Sequence, residues 1–210
     1  MIISDIYLRY TVPPQLQSHQ YKVAAIAQII CDSIPSFPYT KLVVTTCLLH
    51  DIGNLSKSII ETNTDWVQQK GYQYWKSVQA DFIANWGEYP DMATKNIVSD
   101  LKLNPLLFAY LNSFLSLTSE QAWQTKDLGM LICKYADQRV NPEGVVTLEA
   151  RIAYLAARYP EWNDPQKQKD TLKLRKEIES YISSQSSFDV STITAQKVDR
   201  VVNSLYSYVI

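Results

Sequence analysis

Along most of this chain apolar residues return every three or four positions, and the apolar-polar alternation of a half-buried strand is scarce. Only five glycines interrupt the pattern, so the spacing predicts an all-α protein. The first strong helix is expected from about Gln17 to Ser33, with Val23, Ile26, Ala27 and Ile30 as its inward stripe and Pro35 and Pro38 beyond its end. A second starts near Thr40 and carries Leu42, Val43, Thr46 and Leu49 into the pair His50-Asp51, with Gly53 available to end it. A third, from about Tyr72 to Trp86, puts Trp75, Val78, Phe82 and Trp86 on one face and has Gly87 as its stop.

Asp91 after Pro90 is expected to cap a short helix, and Pro105 after Asn104 to open the apolar run LLFAYLNSFLSL as a buried one. Further helices are expected from Thr125 to Val140, Thr147 to Tyr159 with Pro160 as the stop, Asp164 to about Ser184, and Thr194 to the C-terminus. The charged segment QKQKDTLKLRKEIES reads as a solvated outer helix, and SSQSS at Ser183 to Ser187 as a surface loop.

Composition narrows the partners. With 46% hydrophobic residues in 210, the chain can fill one core without a covalent or metal staple, so a single domain over 1–210 is expected. Lys and Arg number 20 against 21 Asp and Glu, and no long like-charge run marks a nucleic-acid groove or a polybasic membrane patch. The opening MIISDIYLRYTVPP lacks a basic stretch followed by a long apolar one, and no window reaches the apolar length of a membrane span. A soluble, cytoplasmic protein without a membrane partner is the expectation, and a homodimer is left open. Cys31, Cys47 and Cys133 are far apart and set in apolar helical patterns, which reads as reduced buried thiols rather than a disulfide framework.

The candidate chemistry lies in few residues. The chain has two histidines: His19 opens the first long helix and His50 closes the second, directly before Asp51. Asp137 sits in the apolar helix LGMLICKYADQRV, where a carboxylate facing the core needs a partner. Two imidazole nitrogens and two carboxylates suit one divalent ion such as Mn, Fe, Co, Ni, Zn or Mg, with positions open for water or a substrate oxygen. Adjacent helical residues point about 100° apart, so His50 and Asp51 share an ion only if it lies over the edge between them, which a helix end permits.

The order His19, then His50-Asp51, then Asp137 resembles the HD domain superfamily of metal-dependent phosphohydrolases. The likeness extends into HQYKVAAIAQII and TCLLHDIG, covers about residues 15–140, and is also felt in YADQRVNPEGVVTLEARIAYL, which is similar to bacterial HD proteins of no assigned substrate. It implies an HD-like helical bundle, with helices 147–210 packing on the motif core, and a metal site of His19, His50, Asp51 and Asp137. The implied reaction is hydrolysis of a phosphomonoester or phosphodiester, with a nucleotide among the candidate substrates, by metal-activated water.

Phosphoryl groups call for cations. Lys22 is three residues after His19 and Lys134 three before Asp137, so each shares a helix face with a proposed ligand. Lys57 follows the His-Asp pair in a loop, and Arg139 serves only if its helix ends there. Lys22 is the leading clamp, and Asp51 the leading proton acceptor. Tyr72 and Tyr74 are candidates for stacking on a base, while Trp75 belongs to the core.

The chain also departs from the family. HD enzymes with a second metal recruit further histidines, and the cyclic-dinucleotide phosphodiesterases of the HD-GYP kind carry lysine where Asn54 stands. Guanosine tetraphosphate hydrolases and deoxynucleoside monophosphatases place acidic residues soon after the pair, where this chain has Asn54 and Leu55; Glu61 and Asp65 are the nearest substitutes. These departures keep a second reading open, a non-catalytic domain that binds a metal or nucleotide as a sensor or interaction module. A third makes the four residues a buried polar network without metal.

Overall fold

The computed structural model describes residues 1–61 and 64–210. In chain order it forms α1 (Ile3–Arg9), α2 (Pro14–Ser33), α3 (Thr40–Leu49), a one-turn 3-10 helix (Asn54–Lys57), α4 (Asp65–Gln68), α5 (Tyr72–Trp86), α6 (Pro90–Asp100) and α7 (Pro105–Ser116). There follow α8 (Ser119–Thr125), α9 (Leu128–Gln138), the strands β1 (Val140–Asn141) and β2 (Gly144–Val145), α10 (Leu148–Arg158), α11 (Pro165–Gln185) and α12 (Ala195–Leu205). Among the described residues the protein is all-α apart from that two-stranded antiparallel hairpin, in which Val140 faces Val145, and a single antiparallel bridge between Ile2 and Val209.

α2 is the central helix. Val23 to Ala27 are five consecutive buried residues, a pattern that covers every side of a helix and requires neighbours all round. Three of the five are alanines, whose small side chains let α3, α9 and α12 pack closely on it. α7 lies on α3, and α10 and α11 lie outside α9. Trp66 and Trp75 form a smaller apolar cluster with Ile60 and Val67.

Local chemistry explains where the elements begin and end. α2 starts at Pro14, earlier than the apolar stripe indicates, because proline is suited to the first helical turn. The helix expected from Thr125 begins instead at Leu128. Asp127 caps it by accepting from the Met130 amide at 2.9 Å, and Thr118 and Gln121 form a capping box for the separate α8. Val140 is a strand residue and not the end of that helix. Asp91 is not a cap either: Tyr89 occupies that position without a side-chain bond, Pro90 leads the helix and Asp91 sits in its first turn, where a negative charge suits the helix dipole. The apolar α7 buries only Leu107, Leu111 and Phe114, leaving Leu106 exposed.

The charged α11 buries a stripe of Arg175, Ile178, Glu179 and Ile182, so it is solvated on one side only. α10, α11 and α12 start at the expected positions, and Thr147, Asp164 and Thr194 cap them. All three cysteines are free and buried, and burial pushes the Cys31 and Cys47 thiols up. Among the described residues, no helix is long and apolar enough to cross a membrane.

Candidate metal centre

α3 ends where its last carbonyls find partners outside the helix ladder. The imidazole of His50 meets the Cys47 carbonyl at 2.7 Å through Nδ1, the Tyr7 hydroxyl of α1 donates to the Leu48 carbonyl at 2.6 Å, and the Ile52 amide donates to Leu49. The turn that follows is pinned from two sides. The Gly53 amide donates to the Thr94 hydroxyl of α6 at 3.1 Å, and the Gln79 amide of α5 donates to the Leu55 and Ser58 carbonyls, each at 2.8 Å. Gly53 has a negative φ and is not a left-handed stop; it is needed because a Cβ there would land on the Pro90 carbonyl and the Thr94 amide.

This anchoring fixes the face that His50 and Asp51 present. With Nδ1 committed to Cys47, the other ring nitrogen, Nε2, is aimed inward and is buried without a hydrogen-bond partner. Ligand atoms of His19, His50 and Asp51 all lie within 4.8 Å of one another, so this group could hold a metal ion. Asp137 closes the fourth side: its Oδ1 is 3.2 Å from His19 Nε2 and 3.6 Å from His50 Nε2. Asp51 Oδ2 is 3.6 Å from each imidazole.

Three of these four gaps are longer than a hydrogen bond. They match another geometry. Ligands at the roughly 2.1 Å typical of imidazole and carboxylate on a first-row ion stand about 3.0 Å apart at an octahedral corner and about 3.4 Å apart at a tetrahedral one. His19, His50 and Asp51, with Asp137 beside them, therefore fit a divalent ion in donor type, and their longest gaps exceed the tetrahedral spacing by only about 0.2 Å.

The electrostatics run the same way. Burial works against a charged His50, yet Asp51 and Asp137 outweigh it and push the imidazole up to about 9. Burial likewise works to raise the Asp137 carboxyl, and His19 and His50 beside it hold it well below the usual carboxylate range. The centre favours positive charge, which a divalent cation supplies more strongly than a proton. Phe114 packs its ring edgewise on His50 with centroids 5.4 Å apart, closing one wall with apolar surface.

The candidate cations are placed unequally. Lys22 is half-buried one turn along α2 from His19, with no hydrogen bond or ion pair among the described residues. Lys57 is exposed on the 3-10 turn rather than in an irregular loop. Lys134 is half-buried and donates to the Phe114 carbonyl at 2.6 Å, so its ammonium is already engaged. Arg139 does not serve the centre. Although α9 ends just before it, the guanidinium turns to the β-hairpin and to the segment before α12, donating to the Val146 carbonyl at 2.6 Å and the Ile193 carbonyl at 3.0 Å.

Tyr72 and Tyr74 are exposed on α5, and Trp75 is buried with its indole donating to the Trp66 carbonyl. Leu55 is fully buried and Glu61 exposed; the side chain of Asp65 lies outside the described residues. Sequence reasoning missed Gln138, whose amide donates to Asp137 Oδ2 at 3.1 Å; its place next to a buried aspartate was the available signal. No family model, curated protein or solved structure matches this chain.

Proposed function

We propose that this chain holds one divalent metal ion on His19, His50, Asp51 and Asp137 and hydrolyses a phosphomonoester or phosphodiester, in an HD-like helical bundle. The observation that carries the reading is the convergence of His19, Asp51 and Asp137 on the bare Nε2 of His50, with three of the four imidazole–carboxylate gaps longer than a hydrogen bond. When bound, such an ion supplies Lewis acidity for a phosphoryl oxygen and lowers the pKa of a water. Asp51, about a quarter exposed, is the carboxylate that solvent reaches and is assigned the proton. Lys22 is assigned the phosphoryl oxygens, since it is the half-buried cation of α2 with its donors uncommitted. Phe114 and the buried His50 keep one side of the reacting group dry.

A specific observation favours a second reading, a metal- or nucleotide-binding sensor. The position after Asn54 is occupied by Leu55 in the core, so no proton donor stands there for a leaving group. One experiment separates the two: metal content by plasma mass spectrometry, with turnover of generic phosphatase and nucleotide substrates under added Mn or Co. Near-stoichiometric metal with turnover is expected. Metal without turnover across the panel replaces the hydrolase with the sensor, and no metal after incubation with each candidate ion overturns the hydrolase and the metal-binding form of the sensor.

A further inference from the structure

The face of α9 that carries Lys134 and Gln138 also lines a second cleft, closed by Ser119, by Leu148 on α10 and by Arg175 on α11. It measures about 210 Å3 with its open mouth, and its enclosed end has room for about one water-sized group. Arg175 is 6% exposed, and its Nε and Nη1 are both buried without a hydrogen-bond partner. The Nε of Arg151 on α10 is buried and unpartnered as well. The Trp162 ring lies 5.4 Å from the Arg175 guanidinium carbon and braces it without accepting its buried N–H groups.

Burial, and after it the neighbouring Arg151, brings the Arg175 guanidinium down to about 10, while Asp137 and Glu120 act in the opposite sense from a distance. Burial lowers Lys134 too. A buried guanidinium with bare donors is a standing cost to the fold unless an anion completes it. Gln138 links this cleft to the metal centre: its amide nitrogen holds Asp137 while its carbonyl oxygen is buried and unpaired.

We propose that this cleft is an oxyanion subsite in which Arg175, with the positive charge of Arg151 behind it, binds a phosphoryl group of a phosphorylated ligand. One phosphoryl oxygen enters the narrow end and accepts from one of the bare N–H groups of Arg175, and the remaining oxygens stay at the mouth. Its place as an anchor for substrate bound at the metal centre rests on the hydrolase reading; the binding itself does not. A ligand engaging both sites carries at least two anionic groups, one anchored here and one at the reacting bond.

The test uses the full chain in chelator, titrated with inorganic phosphate at constant ionic strength against a chloride reference and followed by calorimetry. Wild type is expected to bind phosphate saturably, and Arg175→Met to bind at least about tenfold more weakly, the loss of a hydrogen bond to a charged group. In chloride alone Arg175→Met is expected to melt no lower than wild type, since it deletes an unpaired buried charge. Absence of saturable binding in wild type, or equal affinity in the variant, overturns the proposal. Should Arg175→Met fail to fold, Arg151→Met carries the same readout, with weaker phosphate binding expected and unchanged binding overturning. Metal content is measured on separate samples of the same proteins incubated with each candidate ion without chelator: phosphate binding with no metal taken up there ends the hydrolase reading alone, and metal uptake without phosphate binding ends the subsite alone.

Discussion

Two ionic clusters share the last turns of α9, and they are completed to different degrees. Around Arg139, 3% exposed, all five guanidinium N–H groups have acceptors: Nε bonds the Val146 carbonyl, Nη1 the Tyr135 hydroxyl and the Val190 carbonyl, and Nη2 the Ser191 and Ile193 carbonyls. Tyr135 in turn donates to Glu179 at 2.8 Å, and Lys176 donates to the same carboxylate at 2.9 Å. Around Asp137 the opposite holds. Two carboxylates face two imidazoles across gaps of 3.2 to 3.6 Å, and the buried Nε2 of His50 bonds nothing. A network that closes on itself ties helices together. One whose donors all point at a common centre and leave it unbonded supports the reading of a binding site.

The largest effect should therefore come from the closed cluster. Arg139→Met strands the Tyr135-Glu179 pair and the carbonyls before α12 in the interior, and about 3–5 kcal/mol of stability should be lost, as for other broken buried ion pairs. Denaturant unfolding measures it, and the metal content per folded molecule should stay at the wild-type level. If metal were lost while stability held, the two clusters would have exchanged roles and the comparison would fail.

The next effect belongs to the open cluster and appears only with metal present. A ligand at a hundred times its Kd stabilises the folded state by about 2.7 kcal/mol, so wild type should gain that much under saturating Mn, Co or Zn. Asp137→Asn keeps the shape of the side chain and removes its charge, and most of the gain should vanish. Arg139→Met should keep it. Thermal unfolding with and without chelator reads all three proteins, and an undiminished gain in Asp137→Asn would remove that residue from the metal set.

The contrast also shows what was legible in the sequence. His50 and Asp51 could be placed at a helix end because the apolar run before them and the glycine after them bracket the element, and Asp137 stood out as a carboxylate in an apolar helix. The helix expected from about Tyr72 to Trp86 is α5, since Gly87 ends it as the sequence indicates, and in the structure Gly71 and Gly87, with φ of 89° and 109°, bound it on both sides. Arg139 was misread as a clamp because its direction is decided by carbonyls of Val190 and Ile193, far along the chain and joined to it only by the fold. Arg175 was hidden among the charges of α11. Its spacing to Ile178 and Ile182 marks the inward stripe, but a predominantly polar helix is naturally read as solvated, and only the packing of α11 on α9 buries that position. The break between α8 and α9 rests on Lys126, which ends α8 in the left-handed region at φ 54°, and on the Asp127 cap, and neither stands out from the residue types alone.

The smallest effect tests what holds the open cluster in shape, since it lacks the internal bonds of the closed one. The turn after Asp51 is tied to α6 by the Gly53 amide on the Thr94 hydroxyl, both of them buried. Thr94→Val keeps the volume and removes the acceptor, leaving a buried N–H unpaired at a cost of about 1 kcal/mol or slightly more. Thr94→Ser retains the hydroxyl and should restore the bond. Because Gly53 already touches the Pro90 carbonyl region too closely to admit a Cβ, the turn has little room to settle elsewhere, and the strain should pass to Asp51. Metal affinity, measured by competition with a coloured chelator, should fall in Thr94→Val by less than in Asp137→Asn and recover in Thr94→Ser. A stability loss with wild-type affinity would mean that the partners of the α3 end, the Tyr7 hydroxyl on Leu48 and the His50 ring on Cys47, position the site without help from α6.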